Sequence, residues 1–192
     1  MGHQIEGRGV RDPRVLEAMR KVPREAFVPE DLRARAWEDG PLPIGEGQTI
    51  SQPYIVALMT EAAGAGPGCR VLEVGTGSGY QAAVLAAAGA EVWTVERLPS
   101  LAAEARGRLE GLGGHVHVRV GDGKEGWPEE APFDAIVVTA AAAAVPEALL
   151  AQLKDGGRLV IPLGPKGDQR LLRIFRDGRE ESLGAVRFVP LV

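Results

Sequence analysis

Three groups of residues in this chain have types and spacings that suggest chemistry. Glu73, Gly75, Gly77 and Gly79 lie within R-V-L-E-V-G-T-G-S-G, from Arg70 to Gly79. Glu96 closes a later apolar run, E-V-W-T-V from Glu91 to Val95, and Asp122 stands between Gly121 and Gly123. Alternate glycines let the backbone take positive φ and approach a ligand closely, and a helix that starts just after them offers free N–H groups. An acid about twenty residues beyond such a turn is where ribose hydroxyls are bound. This is the build of a nucleotide-type cofactor site. The third group is the stretch from Gly40 to Pro53, G-P-L-P-I-G-E-G-Q-T-I-S-Q-P, rich in glycine, proline and small polar residues. A loop of that length in a small domain is more often functional than idle. Within it Ser51 has two open readings, as the N-cap of the helix that follows or as a functional hydroxyl.

The cofactor class follows from the glycine pattern. A dinucleotide fingerprint requires G-x-G-x-x-G, and Tyr80 stands where its third glycine belongs. E-x-G-x-G-x-G, with an acid closing the second strand, resembles instead the S-adenosylmethionine site of class I methyltransferases.

Alternating strands and helices are needed to position these groups. Val71, Leu72 and Val74 predict a parallel strand covered on both faces, and the residues from Tyr80 to Ala88 predict the helix after the turn. Further strands are predicted at Glu91 to Val95, Val116 to Val120, Phe133 to Val138 and Arg158 to Leu163, with a helix from about Pro99 to Leu112. Thr139 and the small residues Ala140 to Ala144 leave the end of the fourth strand open to a ligand. A helix begins at Val145-Pro146-Glu147 and is expected to end at Asp155-Gly156-Gly157. Gln169 to Phe175 and Ala185 to Pro190 read as an antiparallel pair turning at Asp177-Gly178. Ahead of the sheet, Asp12-Pro13 opens an amphipathic helix with Val15, Leu16 and Met19 on one face. Arg24 to Trp37 reads as a short helical region with Phe27, Leu32 and Trp37 packed inward, and Gln52 to Ala65 as another helix. The expectation is a single α/β domain over 1–192: a Rossmann-like, doubly wound, mostly parallel sheet at 66–192, with a C-terminal antiparallel pair and an N-terminal helical cap and substrate loop at 1–65.

Composition excludes several classes. The 192 residues suit one core, and the formal net charge of −4, without a basic stripe, argues against a nucleic-acid partner. The polar N-terminus has no signal-peptide core, and no apolar run approaches the roughly 20 residues of a membrane span. A single cysteine, Cys69, fits a reducing compartment, so a cytoplasmic protein is expected. His115 and His117 have no third ligand nearby in the sequence, so no metal site is assigned. A monomer is expected because no apolar stripe is left over.

Nearly the whole chain resembles the protein-L-isoaspartate O-methyltransferase family. The likeness lies in Val22-Pro23-Arg24-Glu25-Ala26-Phe27-Val28-Pro29, Gly47-Gln48-Thr49-Ile50-Ser51-Gln52-Pro53 and the segment from Leu72 to Ala83. It continues in Gly126-Trp127-Pro128, the segment from Gly156 to Pro162 and Phe188-Val189-Pro190-Leu191. The Thr-Ile-Ser-x-Pro loop is the most specific of these motifs. The resemblance implies methyl transfer from S-adenosyl-L-methionine, leaving S-adenosyl-L-homocysteine, to the α-carboxylate of L-isoaspartyl residues in damaged proteins, which starts repair through a succinimide. It also implies that Glu73 and Gly75, Thr76, Gly77, Ser78 and Gly79 hold the methionine end of the cofactor. Glu96 would bind the ribose hydroxyls and Asp122 and Gly123 would meet the adenine, with Arg97 and Thr139 also in contact with the cofactor. Thr49, Ile50, Ser51, Tyr54 and Val189 would meet the acceptor, with Ser51 as the active-site serine. Lys124 stands where an aromatic or small residue is common in the family, and Tyr54 where some members have histidine.

The chemistry of that reaction asks little of the protein. A carboxylate with a pKa of about 3.5 to 4 is already ionised at neutral pH, so no general base is needed. Ser51 is therefore expected to position the acceptor as a hydrogen-bond donor, without acting as a nucleophile. Alignment of the reacting atoms is expected to supply most of the acceleration, up to roughly 7 to 11 kcal/mol.

Overall fold

The computed structural model describes residues 3–111 and 115–192. The first helix, α1 (Pro13–Lys21), starts as its sequence dictates: Asp12 is the N-cap, its carboxylate accepting the Arg14 amide at 2.9 Å, and Pro13 occupies the first turn. Val15, Ala18 and Met19 form its buried stripe, while Leu16 is only partly buried. Arg24 to Trp37 contains two 3₁₀ segments, Arg24–Phe27 and Glu30–Arg35, with Phe27 buried and Leu32 and Trp37 packed at the edge of the core.

The stretch expected to be one irregular loop contains a hairpin, β1 (Leu42–Gly45) and β2 (Gln48–Ile50), which precedes α2 (Pro53–Ala63). Its strands are too short to show a lasting period, and the turn residues Glu46 and Gly47 both have positive φ. Pairing across the hairpin leaves Thr49 exposed and turns Ile50 into the core, so the expected acceptor contact of Ile50 is limited to the small space beneath the glycine turn. Gln52, whose side chain makes no cap bond, is the N-cap of α2. Ser51 therefore does not have the capping role.

The central sheet has β3 (Arg70–Val74), β4 (Glu91–Glu96), β5 (Val116–Val120), β6 (Phe133–Val138), β7 (Leu153–Leu163), β8 (Gln169–Phe175) and β9 (Glu180–Val186), in the order β5-β4-β3-β6-β7-β8-β9. The first five pair in parallel, and β8 and β9 run antiparallel. On one face, α1, α2, α3 (Tyr80–Ala87) and α4 (Pro99–Glu110) cover a core that includes Val71, Val92 and Leu85. On the other, α5 (Glu147–Ala151) covers Leu72, Val74, Ile136 and Leu159. The expected end of α4 at Leu112 lies outside the described residues.

Two boundaries differ from expectation. β7 begins at Leu153, so Asp155-Gly156-Gly157 belongs to a strand irregularity and not to the end of a helix; between Phe133 and Ala135 the partner shifts from Leu153 to Arg158. The last strand runs from Glu180 to Val186, earlier than the expected Ala185 to Pro190. Residues after Val186 leave the sheet edge and turn back to bridge Ala141 through Pro190. Alternation alone cannot show that turn, because the bonds that hold it come from a segment far away in the chain.

Candidate functional site

The strand order reverses direction between β3 and β6, and ligands in open α/β sheets bind at the carboxyl ends of strands at such a point. A cavity of 310 Å³ lies there, lined by Gly75, Gly77, Glu96, Arg97, Gly123 and Thr139 among others. The turn after β3 has Gly75 at φ 94°, Gly77 at 52° and Gly79 at 88°, backbone that other residues adopt only with strain. A Cβ on Gly75 would overlap Thr139 Oγ1, which donates to the Gly75 carbonyl at 2.5 Å. A Cβ on Gly123 would overlap the Val74 side chain. Glycine is thus required at both walls by close approach as well as by φ.

Glu96 does more than its position suggests. Its two carboxylate oxygens already accept the Gly77 amide at 2.8 Å and the Leu98 amide at 3.0 Å, so it pins the glycine turn and the entry to α4. Thr76 and Ser78 are buried beneath the turn: Thr76 shares a 2.6 Å hydroxyl contact with Thr94, and Ser78 Oγ accepts the Tyr80 amide. Gly79 packs against Ala105 and Leu109 of α4 and lines none of the three cavities described here. Asp122 is exposed and lies outside the lining of these cavities; its carboxylate accepts the Lys124 amide at 2.9 Å.

Glu73 is fully buried, with Oε2 accepting the Thr94 hydroxyl at 2.5 Å and Oε1 without a partner among the described residues. Burial, reinforced by nearby Glu96 and only partly offset by Thr94, pushes its pKa up to about 8. It lines a 30 Å³ space beneath the turn that also touches Ser51, Ile50, Gly77 and Gln81. An orphaned, buried carboxyl oxygen beside a glycine cradle leaves a hydrogen-bond acceptor for a polar group of a bound ligand.

A second, open groove of 550 Å³ runs alongside, walled by Ser51, Gln52 and Tyr54 on one side and by Leu183 and Arg187 to Val189 on the other. Thr49 and Thr139 line both large cavities and the small space beneath the turn, and Val189 lines the two large ones. The three spaces therefore meet at those residues. Ser51 lies on the groove side, and its hydroxyl bonds to none of the described residues. Arg8 stacks over the Tyr54 ring at 3.7 Å and faces Asp39, which also takes the Gln52 side chain at 2.7 Å.

Sequence reasoning missed the groove's far wall. Gln169 bonds Phe188 through both its amide atoms, at 2.6 and 3.2 Å, and Ala141 brackets the same segment, its N–H bonding Val189 and its carbonyl accepting the Leu191 amide. The sequence signal for this wall is the motif Phe188-Val189-Pro190-Leu191, of which Val189 alone is expected at the acceptor. Among the described residues no group of three His, Cys, Asp or Glu side chains converges as a metal set. His117 stacks on Trp93 at 5.1 Å and contacts Glu91.

Fold and site together define a class I methyltransferase. The family model described as protein-L-isoaspartate(D-aspartate) O-methyltransferase matches residues 1–192, and the chain belongs to that family. Its relatives include the protein-L-isoaspartate O-methyltransferases of Methylorubrum extorquens, 61% identical over 98% of this chain and 85% of that one. The enzyme of Methanoculleus marisnigri is 58% identical over 98% and 88%. Among solved structures, a protein-L-isoaspartate O-methyltransferase superposes with a TM-score of 0.85 at 33% identity, covering 96% of this chain and 62% of the other. A Plasmodium falciparum protein of the same description, in complex with S-adenosyl-L-homocysteine, also has a TM-score of 0.85, at 27% identity over 97% of this chain and 94% of that one.

Proposed function

We infer that this chain transfers a methyl group from S-adenosyl-L-methionine to the α-carboxylate of L-isoaspartyl residues in proteins and peptides. The observation that carries the reading is the meeting of the glycine-turn cavity with an open, peptide-sized groove at Thr49, Thr139 and Val189, with Ser51 on the groove side. The bound cofactor supplies an electrophilic methyl on a cationic sulfonium. Gly75, Gly77, Glu73 and Thr139 hold and orient it, while Glu96 fixes the turn and meets the ribose with its remaining lone pairs. Thr49 and Val189 shield the junction from water. Ser51 donates a hydrogen bond that orients the already ionised acceptor, so no proton has to be removed. In the product ester, attack by the neighbouring main-chain nitrogen closes a succinimide and expels methanol.

Discrimination against ordinary aspartate needs more than carboxylate recognition, because one methylene in a pocket is worth only about 1–3 kcal/mol. The rim from Gly47 to Ser51 and the edge at Val189 are placed to read main-chain amides of an extended peptide. Arg187 on the groove wall is a cation within reach of an anionic acceptor, while Arg8 is already taken up by Asp39 and the Tyr54 ring. Among the described residues no helix is long and apolar enough to cross a membrane. The acidic net charge of −4 supports a protein without a nucleic-acid partner, and the single cysteine supports a cytoplasmic location.

Two synthetic peptides, identical except for Asp or isoAsp at one position, test the reading with labelled S-adenosylmethionine. Base-labile label on the isoAsp peptide alone is expected. No label on either, with cofactor still bound, would overturn the acceptor assignment and leave the cofactor assignment standing.

A further inference from the structure

Among the described residues Arg24 is the largest fully buried side chain, and no acidic side chain among them pairs with it. Its Nε donates to the Ala36 carbonyl at 2.7 Å, while neither terminal nitrogen has a partner among the described residues. The guanidinium lies 4.9 Å from the centre of the Tyr80 ring. Phe27, three residues along the same segment, meets that ring edge-on at 5.3 Å, and the Tyr80 hydroxyl points to Met19 of α1. Burial lowers the Arg24 pKa to about 10, with Tyr80 partly offsetting the shift, so the group stays charged at neutral pH.

A buried cation without a counter-ion is expensive, and an apolar side chain of similar length would pack there at lower cost. Stability alone therefore does not account for it. Its contact does. Tyr80 is the first residue of α3, directly after Gly79, and its amide bonds Ser78 Oγ within the glycine turn. Its side chain also walls the small space that Glu73, Gly77 and Ser51 share. Fixing the ring fixes the start of α3 and hence the direction of the turn's N–H groups.

We propose that Arg24 is a positioning residue for the cofactor site: its guanidinium clamps the Tyr80 ring so that the Gly75–Gly79 turn stays set for the methyl donor. The inference rests on the assignment of that turn to the cofactor. It gives the Val-Pro-Arg-Glu-x-Phe-Val-Pro segment a function through an element it does not adjoin in sequence.

The test measures S-adenosyl-L-homocysteine binding by calorimetry, with thermal melts and steady-state kinetics, on the full chain and on R24M, Y80L and the double variant. R24M is expected to melt at the same temperature or higher, yet to bind about tenfold more weakly, the size of a lost desolvated cation–π contact. KM for S-adenosylmethionine should rise by a similar factor with kcat within about twofold for R24M, since Arg24 itself lines neither the small space at Ser51 nor the acceptor groove. Y80L should weaken binding comparably, and the double variant no further, because both changes break one contact. R24M that melts lower but binds as tightly as the parent would reduce Arg24 to a packing role and overturn the proposal. So would additive losses in the double variant. A parent chain that binds no S-adenosyl-L-homocysteine would overturn the cofactor assignment itself, an outcome distinct from both.

Discussion

Ser51, Glu73 and Glu96 show how much a side chain's role depends on what else competes for its atoms. Ser51 has no cap bond to make, so its hydroxyl is free for an acceptor. Ser51→Ala should lower kcat/KM for an isoAsp peptide by about ten- to a hundredfold, the worth of one hydrogen bond to a charged group, while leaving S-adenosyl-L-homocysteine affinity within about twofold. A variant as active as the parent would remove Ser51 from the mechanism. Glu73 makes a prediction in pH. Its folded pKa of about 8 stands above the ordinary 4.5, so the folded state binds the extra proton and its stability falls as pH rises between those values. The slope should reach at most about 1.4 kcal/mol per pH unit for this one group. Glu73→Gln should flatten that part of the stability profile, measured by denaturant melts of the cofactor-free protein. A profile unchanged by the substitution would mean that Glu73 is ionised when buried.

At the scale of elements, the glycine turn and the returning C-terminal segment are set by contacts on both sides. Gly75→Ala places a Cβ against Thr139 at a φ of 94°, so the turn must move. Binding of S-adenosyl-L-homocysteine should weaken at least about a hundredfold, with a stability loss of about 1–3 kcal/mol from the strained φ alone. Gln169 holds Phe188 by two bonds, and Gln169→Leu should release the wall that carries Val189 to Leu191. Raised KM for both peptide and cofactor is expected, since that wall borders both cavities. An effect confined to one of the two would show that the segment stays in place without Gln169. Local pattern revealed β3, α3, β4, β5 and β6, whose boundaries follow from apolar runs and glycines. It did not reveal the β1–β2 hairpin, the early start of β7 or the path after β9, because each is stabilised by pairing with a strand or segment remote in sequence.

For the whole molecule, a ligand that binds only the folded state must raise its stability by mass action. Saturation to 100 times the dissociation constant adds about 2.7 kcal/mol, so S-adenosyl-L-homocysteine should raise the melting temperature by about 5 °C or more. NAD should not, because the chain lacks the third glycine of a dinucleotide turn; equal shifts with both would contradict the cofactor class. The sequence by itself determined the α/β class, the glycine turn after the first sheet strand, the acid after the second strand and the Thr-Ile-Ser-x-Pro motif. All of these are encoded in local spacing, apolar run length and the conformational freedom of glycine. Only the tertiary structure decided which atoms are left to act. It occupies Glu96 with two backbone amides, turns Asp122 to cap its own turn, leaves one Glu73 oxygen unpaired among the described residues and sets Arg24 against Tyr80. Those outcomes depend on burial and on hydrogen-bond competition between segments up to tens of residues apart. Such terms are set by packing, which a linear pattern does not contain.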